Sequence, residues 1–568
     1  MKVVEIPKGT GTYADSLRAI GTAGLLEEVA GVGTIIQDRG THFKIEYSSD
    51  VPDVQWRPPS PGFYYIWRKS KEKEKPQGTM VLDYEEEQGR VKAKEKGSKK
   101  KKEALNKALE EQGLSPVESV NREYGPSAIL ESMRKGWSSD KDVYKWVIQN
   151  PEKVLKWVQS ELVWLERLNR LDRLEQVEIP KVSNSQFFNP SSGKGLHATK
   201  TIYKSPSAIN SEVVEPFAEW MKFRGASAAM LPYRNGDDFK LFVIEPAEIG
   251  PKALSMLRGK LLDLRLWGGI RLDIEATLRL AEELIIHSDV VQDTMGKISL
   301  RGRRPAEVIR GLRQAYFKSM GTAAALMNDA FLPIPNWFRI ENKDDAIAFI
   351  EIIREHIGDY AQKKPGCLGS LNETHSGDVP ILQQYRKWLT TGSVSDLLDF
   401  LAKFAVHTME KRGKKEGVKE FSTENLTILF ERGYGMKEIV ENTGFLSVAW
   451  AIRNATITAL WLQQQNNKKW DVRFGLAQKW KQKIKGGAKE FVPVLAEFVQ
   501  DYNWEVTNRL EGKYHTVSKE DLDQVISLIE NNGKDQSELV GMLLLAYGYA
   551  RAPKIETDNP TITNKEGK

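Results

Sequence analysis

The 568-residue sequence predicts an α+β fold: a large mixed α/β N-terminal part over residues 1–380, then a C-terminal all-α helical bundle over 381–555. Three observations predict it. The length exceeds what one hydrophobic core supports. The first part alternates helical patterns with short strand-like runs, of which FKLFVIEP (239–246) is the clearest. From about 380 to 553 the apolar residues recur at helical spacing almost throughout.

The elements follow in order. Ala14, Leu17, Ile20, Leu25 and Leu26 give residues 13–30 the apolar stripe of an amphipathic helix. GTIIQD and HFKIEYSS then read as short strands, followed by the proline-rich WRPPSPGFYYIW, so this start is expected to be a small α+β unit. A basic loop at 88–108 follows; from Arg90 to Lys107, nine Lys/Arg against Glu95 and Glu103 give net +7, with little apolar content, and predict a mobile segment. Residues 141–176 read as long helices with Val143, Trp146, Val147, Val154, Leu155, Val158, Leu162, Leu165 and Leu168 buried. The loop SNSQFFNPSSGKGLHATK leads into a second mixed region with helices expected at 271–291 and 305–327, and KKPGCLGSLNETHSGDVP closes the N-terminal part. In the bundle about six helices are expected. Ser393–Asp396 and Ser518–Asp521 fit capping boxes, and Gly533 fits a helix stop. Residues 556–568 read as a frayed tail.

Composition narrows the function classes. One cysteine, Cys367, excludes an intramolecular disulfide and a cysteine-based zinc site, and suits a reducing cytoplasm. No apolar run stands out as a bilayer span of roughly 20 residues, and the N-terminus does not read as a signal peptide, so a cytoplasmic protein without a membrane partner is expected. Gly193–Lys194–Gly195 superficially suggests a phosphate loop, but Phe188 stands where its first glycine belongs and Gly195 where its magnesium-binding hydroxyl belongs. The seven histidines are scattered without metal-ligand spacing, His287 and His407 read as core or boundary residues, and no G-x-S-x-G elbow occurs. These patterns point to a binding protein with no cofactor, metal or catalytic residue.

The net charge is modest (83 Lys+Arg minus 77 Asp+Glu, +6), so local clusters carry more meaning than the sum. Between Lys468 and Lys489, eight basic residues face only Asp471, net +7, inside an apolar helical spine at 445–510. A basic, aromatic-interleaved surface on packed helices suits a long polyanion. The candidate nucleic-acid contacts are Arg473, Lys479, Lys481 and Lys483 here; Lys99, Lys100, Lys101 and Lys102 in the basic loop; Lys194, Lys200 and Lys204 in the Gly/Ser loop; and Arg301, Arg303 and Arg304, extended by Arg310 and Arg313. Asn184, Gln186 and Asn189 are candidate readers of base edges. Each cluster alone also fits a solvated surface, and Trp470 and Trp480 fit core anchors better than stacking platforms.

The phrases IPKGTGTYADSLRAIGTAGLLEE, SQFFNPSSGKG, AIRNATITALW…DVRFGLAQKWKQK…EFVPVLAEFVQDYNWE and GMLLLAYGYAR together resemble large subunits of type I CRISPR Cascade complexes, most of all the type I-B group. The resemblance implies a non-catalytic subunit of an RNA-guided surveillance complex. It would check the protospacer-adjacent motif on duplex DNA, help open the duplex and guide the displaced strand along its C-terminal bundle. The implied partners are guide crRNA, target double-stranded DNA, the backbone, guide-end and small Cascade subunits, and a separately recruited helicase-nuclease. It also implies that motif reading belongs to the N-terminal part, here the Asn184–Lys204 loop. A separate small-subunit-like fragment starting at Met409 or Met436 is a further expectation. The rival expectations are a metal-dependent nuclease with an unrecognised site and a purely structural RNA-binding scaffold.

Overall fold

The computed structural model of the chain describes residues 2–31, 33–47, 57–70, 72–77, 80–86, 137–166, 185–190, 194–195, 215–235, 238–264, 266, 268–293, 298–320, 324–465, 471–510 and 514–552. The chain divides into two compact units, Met1–Pro335 and Asn336–Lys568, with the division well ahead of the expected boundary at 380. The first carries the sheets and the second is helical among its described residues, giving the expected α+β class.

In the first unit, β1 (Lys2–Pro7), β2 (Thr34–Asp38) and β3 (His42–Tyr47) join the short β9 (Glu248–Ile249) in an antiparallel sheet of order β1-β3-β2-β9. Helix α1 (Tyr13–Ala30) starts at Thr12, whose hydroxyl accepts from the Ala14 amide, and stops at Gly31 in the left-handed region, φ 66°. β4 (Tyr65–Trp67) and β5 (Val81–Asp83) form a small parallel pair, and α2 (Trp137–Gln149) and α3 (Pro151–Glu166) are the expected long helices. Val143, Val147, Val154, Val158, Leu162 and Leu165 are buried there as their spacing demands, whereas Trp146 and Leu155 are only half-buried and Leu168 lies outside the described residues.

A second sheet has the order β6-β11-β10-β8-β7. Its strands are β6 (Lys194–Gly195), β7 (Met230–Asn235), the almost wholly buried β8 (Asp238–Pro246), β10 (Ile309–Ser319) and β11 (Ala324–Pro333). The helix expected over 305–327 is therefore a hairpin. β10 pairs on one side with β8 from Phe239 to Pro246 and on the other with β11, and this two-sided ladder overrides a local pattern that also fits a helix. Helix α4 (Pro216–Ala229) crosses α1 at a contact only glycine permits: a Cβ at Gly21 would stand 1.9 Å from the Met221 oxygen, and one at Gly225 1.9 Å from the Leu17 oxygen. α5 (Pro251–Asp263) and α6 (Ile270–Ile286) complete the unit.

The second unit holds α7 (Lys343–Ile357), α8 (Val379–Thr391), α9 (Val394–Gly413), α10 (Thr423–Ile428), α11 (Lys437–Val440), α12 (Thr443–Arg453), α13 (Ala459–Gln464), α14 (Leu476–Lys485), α15 (Ala488–Asn508), α16 (Lys519–Ile529) and α17 (Ser537–Gly548). The elements are more numerous and shorter than the sequence pattern suggests. Wide turns at Leu429–Gly433 and Asn454–Thr458 subdivide longer helical runs. The Ser518–Asp521 box forms in full. Ser393 stands at its cap without a side-chain bond, because Asp396 is engaged by Lys387 and Thr391, and an Asn342–Asp345 box starts α7 instead. Aromatic packing of Trp337, Phe349, His356, Tyr385 and Trp388 makes one core, and the nearly fully buried α17 makes another. Met409 is buried within α9, whereas Met436 immediately precedes α11. Among the described residues, Thr443–Gln464 is one helical run long and apolar enough to cross a membrane, a run the sequence pattern alone did not set apart, but 61% of its apolar window is buried in the protein.

Candidate nucleic-acid interface

The structure first takes Asn189 out of the candidate set. Asn189 sits in the short segment 185–190, whose Phe187 packs on Phe239 and Phe317 and whose Phe188 packs on Phe223. Its amide donates to Ser185 O (3.2 Å) and Glu219 Oε2 (2.9 Å), while its oxygen accepts from Lys222 Nζ (2.5 Å). Buried and engaged at both ends, Asn189 is a structural hub and not a base reader. Gln186 beside it is half-buried. Lys194 contributes its backbone to β6, opposite Ala325. Asn184, Lys99, Lys100, Lys101, Lys102, Lys200 and Lys204 lie outside the described residues.

The arginine cluster separates into tethered and accessible members. Arg303 bonds Glu248 Oε1 (3.2 Å), Ser299 O (3.3 Å) and Glu307 O (2.6 Å), so its guanidinium braces the turn ahead of β10. Arg304 caps the short helical turn at Pro305–Glu307. Arg313 bridges Glu245 (3.3 Å) and the Gly11 carbonyl (2.9 Å). Burial pushes the Glu245 carboxyl above its ordinary range, and Arg313 opposes that only in part. Arg301 is the open one, with its side chain 57% exposed beside Asp293 and the Asp289 carbonyl.

Helix α14 is split in the same way. Leu476, Ala477, Trp480 and Ile484 form its buried face, and Trp480 meets Phe491 and Phe498 edge-on. Trp480 is thus the core anchor its neighbours suggest. Lys481 is paired to Asp399 (2.7 Å) on α9 and Lys483 to Glu490 (3.1 Å). Arg473 is built in: its amide donates to Ala455 O (3.0 Å), its guanidinium lies 4.7 Å over Phe498, and it faces the buried Glu505 at 3.8 Å. Lys479, Lys485 and Lys489 are exposed and make no ion pair among the described residues. Among the described residues of this stretch the free positive charge therefore belongs to these three, of which only Lys479 was among the candidates.

A surface the sequence did not single out lies where segment 471–474 ties three helices together. Asp471 donates its amide to Glu505 Oε1 (2.8 Å) and accepts from Arg509. The Gln464 amide donates to Arg412 O (2.6 Å), and a Cβ at Gly413 would stand 3.8 Å from the Phe474 ring. These ties gather Trp461 (48% exposed), Phe474 (50%) and Trp504 (56%) around the ends of α9, α13 and α15, with Arg509 stacked on Trp504. Lys414 and Lys415 at the end of α9 are exposed and without ion pairs among the described residues. Large rings left in water beside unpaired cations cost solvation with no folding gain, which marks this surface as a candidate for contact with a partner. Lys468, Lys469 and Trp470 lie outside the described residues.

Two arrangements bear on chemistry. Ser370 Oγ lies 3.1 Å from His407 Nε2, and His407 Nδ1 lies 3.4 Å from Asp378 Oδ1, in the order of a hydrolase relay. The Ser370 hydroxyl donates to Cys367 O (3.2 Å), Asp378 also holds the Asn372 amide (2.9 Å), and burial lowers the pKa of His407, so the trio latches loop 366–378 to α9. Among the described residues no three His, Cys, Asp or Glu side chains gather in a way that could hold a metal ion. No protein-family model matches the chain, and no curated protein sequence matches it.

Proposed function

We propose that the chain is a non-catalytic, nucleic-acid-binding large subunit of a cytoplasmic RNA-guided DNA surveillance complex of the type I CRISPR kind. On this reading the N-terminal unit checks a short duplex motif and the helical unit holds the displaced strand, alongside guide RNA, backbone, guide-end and small subunits and a recruited helicase-nuclease. The resemblance of its sequence phrases supports the assignment. The observation that carries the nucleic-acid reading is the surface of Trp461, Phe474 and Trp504 beside unpaired Lys414 and Lys415. Exposed rings favour single strands, because bases in a duplex are already stacked and closed to them.

Fluorescence anisotropy with the full chain tests this directly. A labelled single strand should bind, and Trp461→Ala with Trp504→Ala should weaken it by about 1–3 kcal/mol for each stacking ring removed. Equal affinity of that variant and the wild type would remove the surface from the interface. Duplexes with and without the motif, assayed in the assembled complex, test the recognition role. Equal affinity for both would leave only a scaffold.

A further inference from the structure

A cavity of about 440 Å³ in the first unit lies among α1, α4, α5 and the loop before β4. Its wall contains Arg258, which is 8% exposed. The Arg258 Nε donates to Met230 O (2.7 Å). Among the described residues no carboxylate pairs with this guanidinium, and nothing accepts from its two terminal nitrogens. A buried neighbour, the Tyr233 hydroxyl, also lacks a hydrogen bond. Burial lowers the Arg258 pKa to about 10, which still leaves the group charged at neutral pH. Proteins seldom keep a buried arginine without an anion, because desolvating the charge is repaid only by a partner.

Apart from the Glu27 carboxylate, which accepts from the Thr34 amide (3.1 Å), the rest of the lining suits an incoming anion. Arg224, also on the wall, is already engaged through its two terminal nitrogens by Glu28 (2.5 Å) and Ser60 O (2.7 Å), while its buried Nε has no hydrogen bond. Lys252, 83% exposed, stands at the mouth with only a long contact to Glu27 (3.6 Å). Ser227 and Ser255 offer hydroxyls, and Phe63 and Met80 supply apolar wall. Gly24 leaves the α1 side open, since a Cβ there would meet nothing within 4 Å.

We propose that this cavity is a phosphomonoester site of mononucleotide size, with Arg258 as its buried anchor and Lys252 at its entrance. A planar guanidinium engages two phosphate oxygens at once, and the apolar wall accommodates the attached organic group. The ligand chemistry could be presented by a free nucleotide or by the 5′-phosphate end of a strand.

Calorimetric titration and thermal shift of the full chain with inorganic phosphate, then AMP, test the site at constant ionic strength. Saturable binding of AMP should stabilise the wild type in a concentration-dependent manner. Arg258→Met should weaken it about 10–100-fold, the worth of hydrogen bonds to a charged group. Gly24→Leu fills the open space from within a helix without touching any cation, and it should abolish AMP binding while the chain stays folded. If Arg258→Met does not fold, Gly24→Leu decides alone. No saturable binding to the wild type, or unchanged affinity in Gly24→Leu, overturns the proposal. Competition by a 5′-phosphorylated oligonucleotide but not its 5′-hydroxyl form assigns the strand end; competition by neither assigns the free nucleotide. Neither variant alters the aromatic–lysine surface of the helical unit, so this result stands apart from that interface.

Discussion

Arg473→Glu would ordinarily be treated as a surface charge reversal that reports on DNA binding, but the structure makes it a stability mutation. The guanidinium stacks on Phe498 at 4.7 Å, a contact worth about 1 kcal/mol for a mostly covered cation. Its bond to the Phe498 carbonyl (3.4 Å) adds a weak hydrogen bond, roughly 0.5 kcal/mol. The larger effect is at Glu505, 3% exposed and 3.8 Å from the guanidinium. Removing one partner of a fully buried pair costs about 3–5 kcal/mol. Because the Arg473 side chain is 21% exposed and the separation is long, about half of that is appropriate, and the new carboxylate adds repulsion. The expected destabilisation is about 3–4 kcal/mol, or a melting temperature lower by roughly 6–16 °C in a unit of this size. Differential scanning calorimetry should show that loss, while Lys479→Glu melts with the wild type, since exposed substitutions stay within about 0.5 kcal/mol. An Arg473→Glu protein melting within about 2 °C of wild type would refute the built-in role of this arginine.

Three further outcomes follow from the same reasoning. Lys479→Glu combined with Lys485→Glu should lower the salt dependence of single-strand binding by about 0.7 in log–log slope for each phosphate neighbour removed, without changing the melting temperature; an unchanged slope places both lysines away from the strand. Gly21→Ala should destabilise the first unit by at least about 3 kcal/mol, because its Cβ would overlap the Met221 carbonyl and α1 and α4 would have to separate; a near-wild-type denaturation midpoint would refute that contact. His356 is held at a pKa of about 3 by burial, with Lys419 adding to the effect. Below about pH 6.5 the unfolded chain takes up a proton that the folded chain refuses, so stability should fall by up to about 1.4 kcal/mol per pH unit down to about pH 3, and His356→Gln should remove that component; identical slopes in denaturation series at pH 4–7 would exclude it.

Much of the fold was legible because local pattern and burial agree. The spacing of Leu17, Ile20 and Leu26 placed α1, and Ser518 with Asp521 placed the start of α16. The failures share one physical origin, partners distant in sequence. Nothing local in IRGLRQAYFKS reveals that β8 and β11 wait on both sides of it. Asn189 reads as an open amide until Glu219 and Lys222 are folded against it, and Lys481 reads as free until Asp399 arrives from 82 residues away. Ser370, Asp378 and His407 are dispersed through loop and helix, so their meeting had no spacing signature. The exposed rings had a faint signal: Trp461 and Phe474 flank a polar, basic stretch, which is an unpromising place for a core residue.

The division of charge on α14 changes what the basic stretch can do. A run of eight cations against one acid suggests a uniformly positive helix, yet the fold uses Arg473 and Lys481 to join α14 and its leading segment to α15 and α9. Those ties hold Phe474 against Gly413 and keep Asp471 at Glu505, so the paired cations shape the surface on which the unpaired ones act. Lys479, Lys485, Lys489, Lys414 and Lys415 are left exposed and unpaired among the described residues, and on the proposed function they would meet phosphate while bases rest on the rings of Trp461, Phe474 and Trp504. Used in that way, such a surface would discriminate by strandedness and charge, since stacking accepts any base and lysine reads no edge. On the proposed function, sequence choice would then require groups elsewhere in the chain or the base pairing of a guide, which is the division of labour expected when an RNA supplies the address.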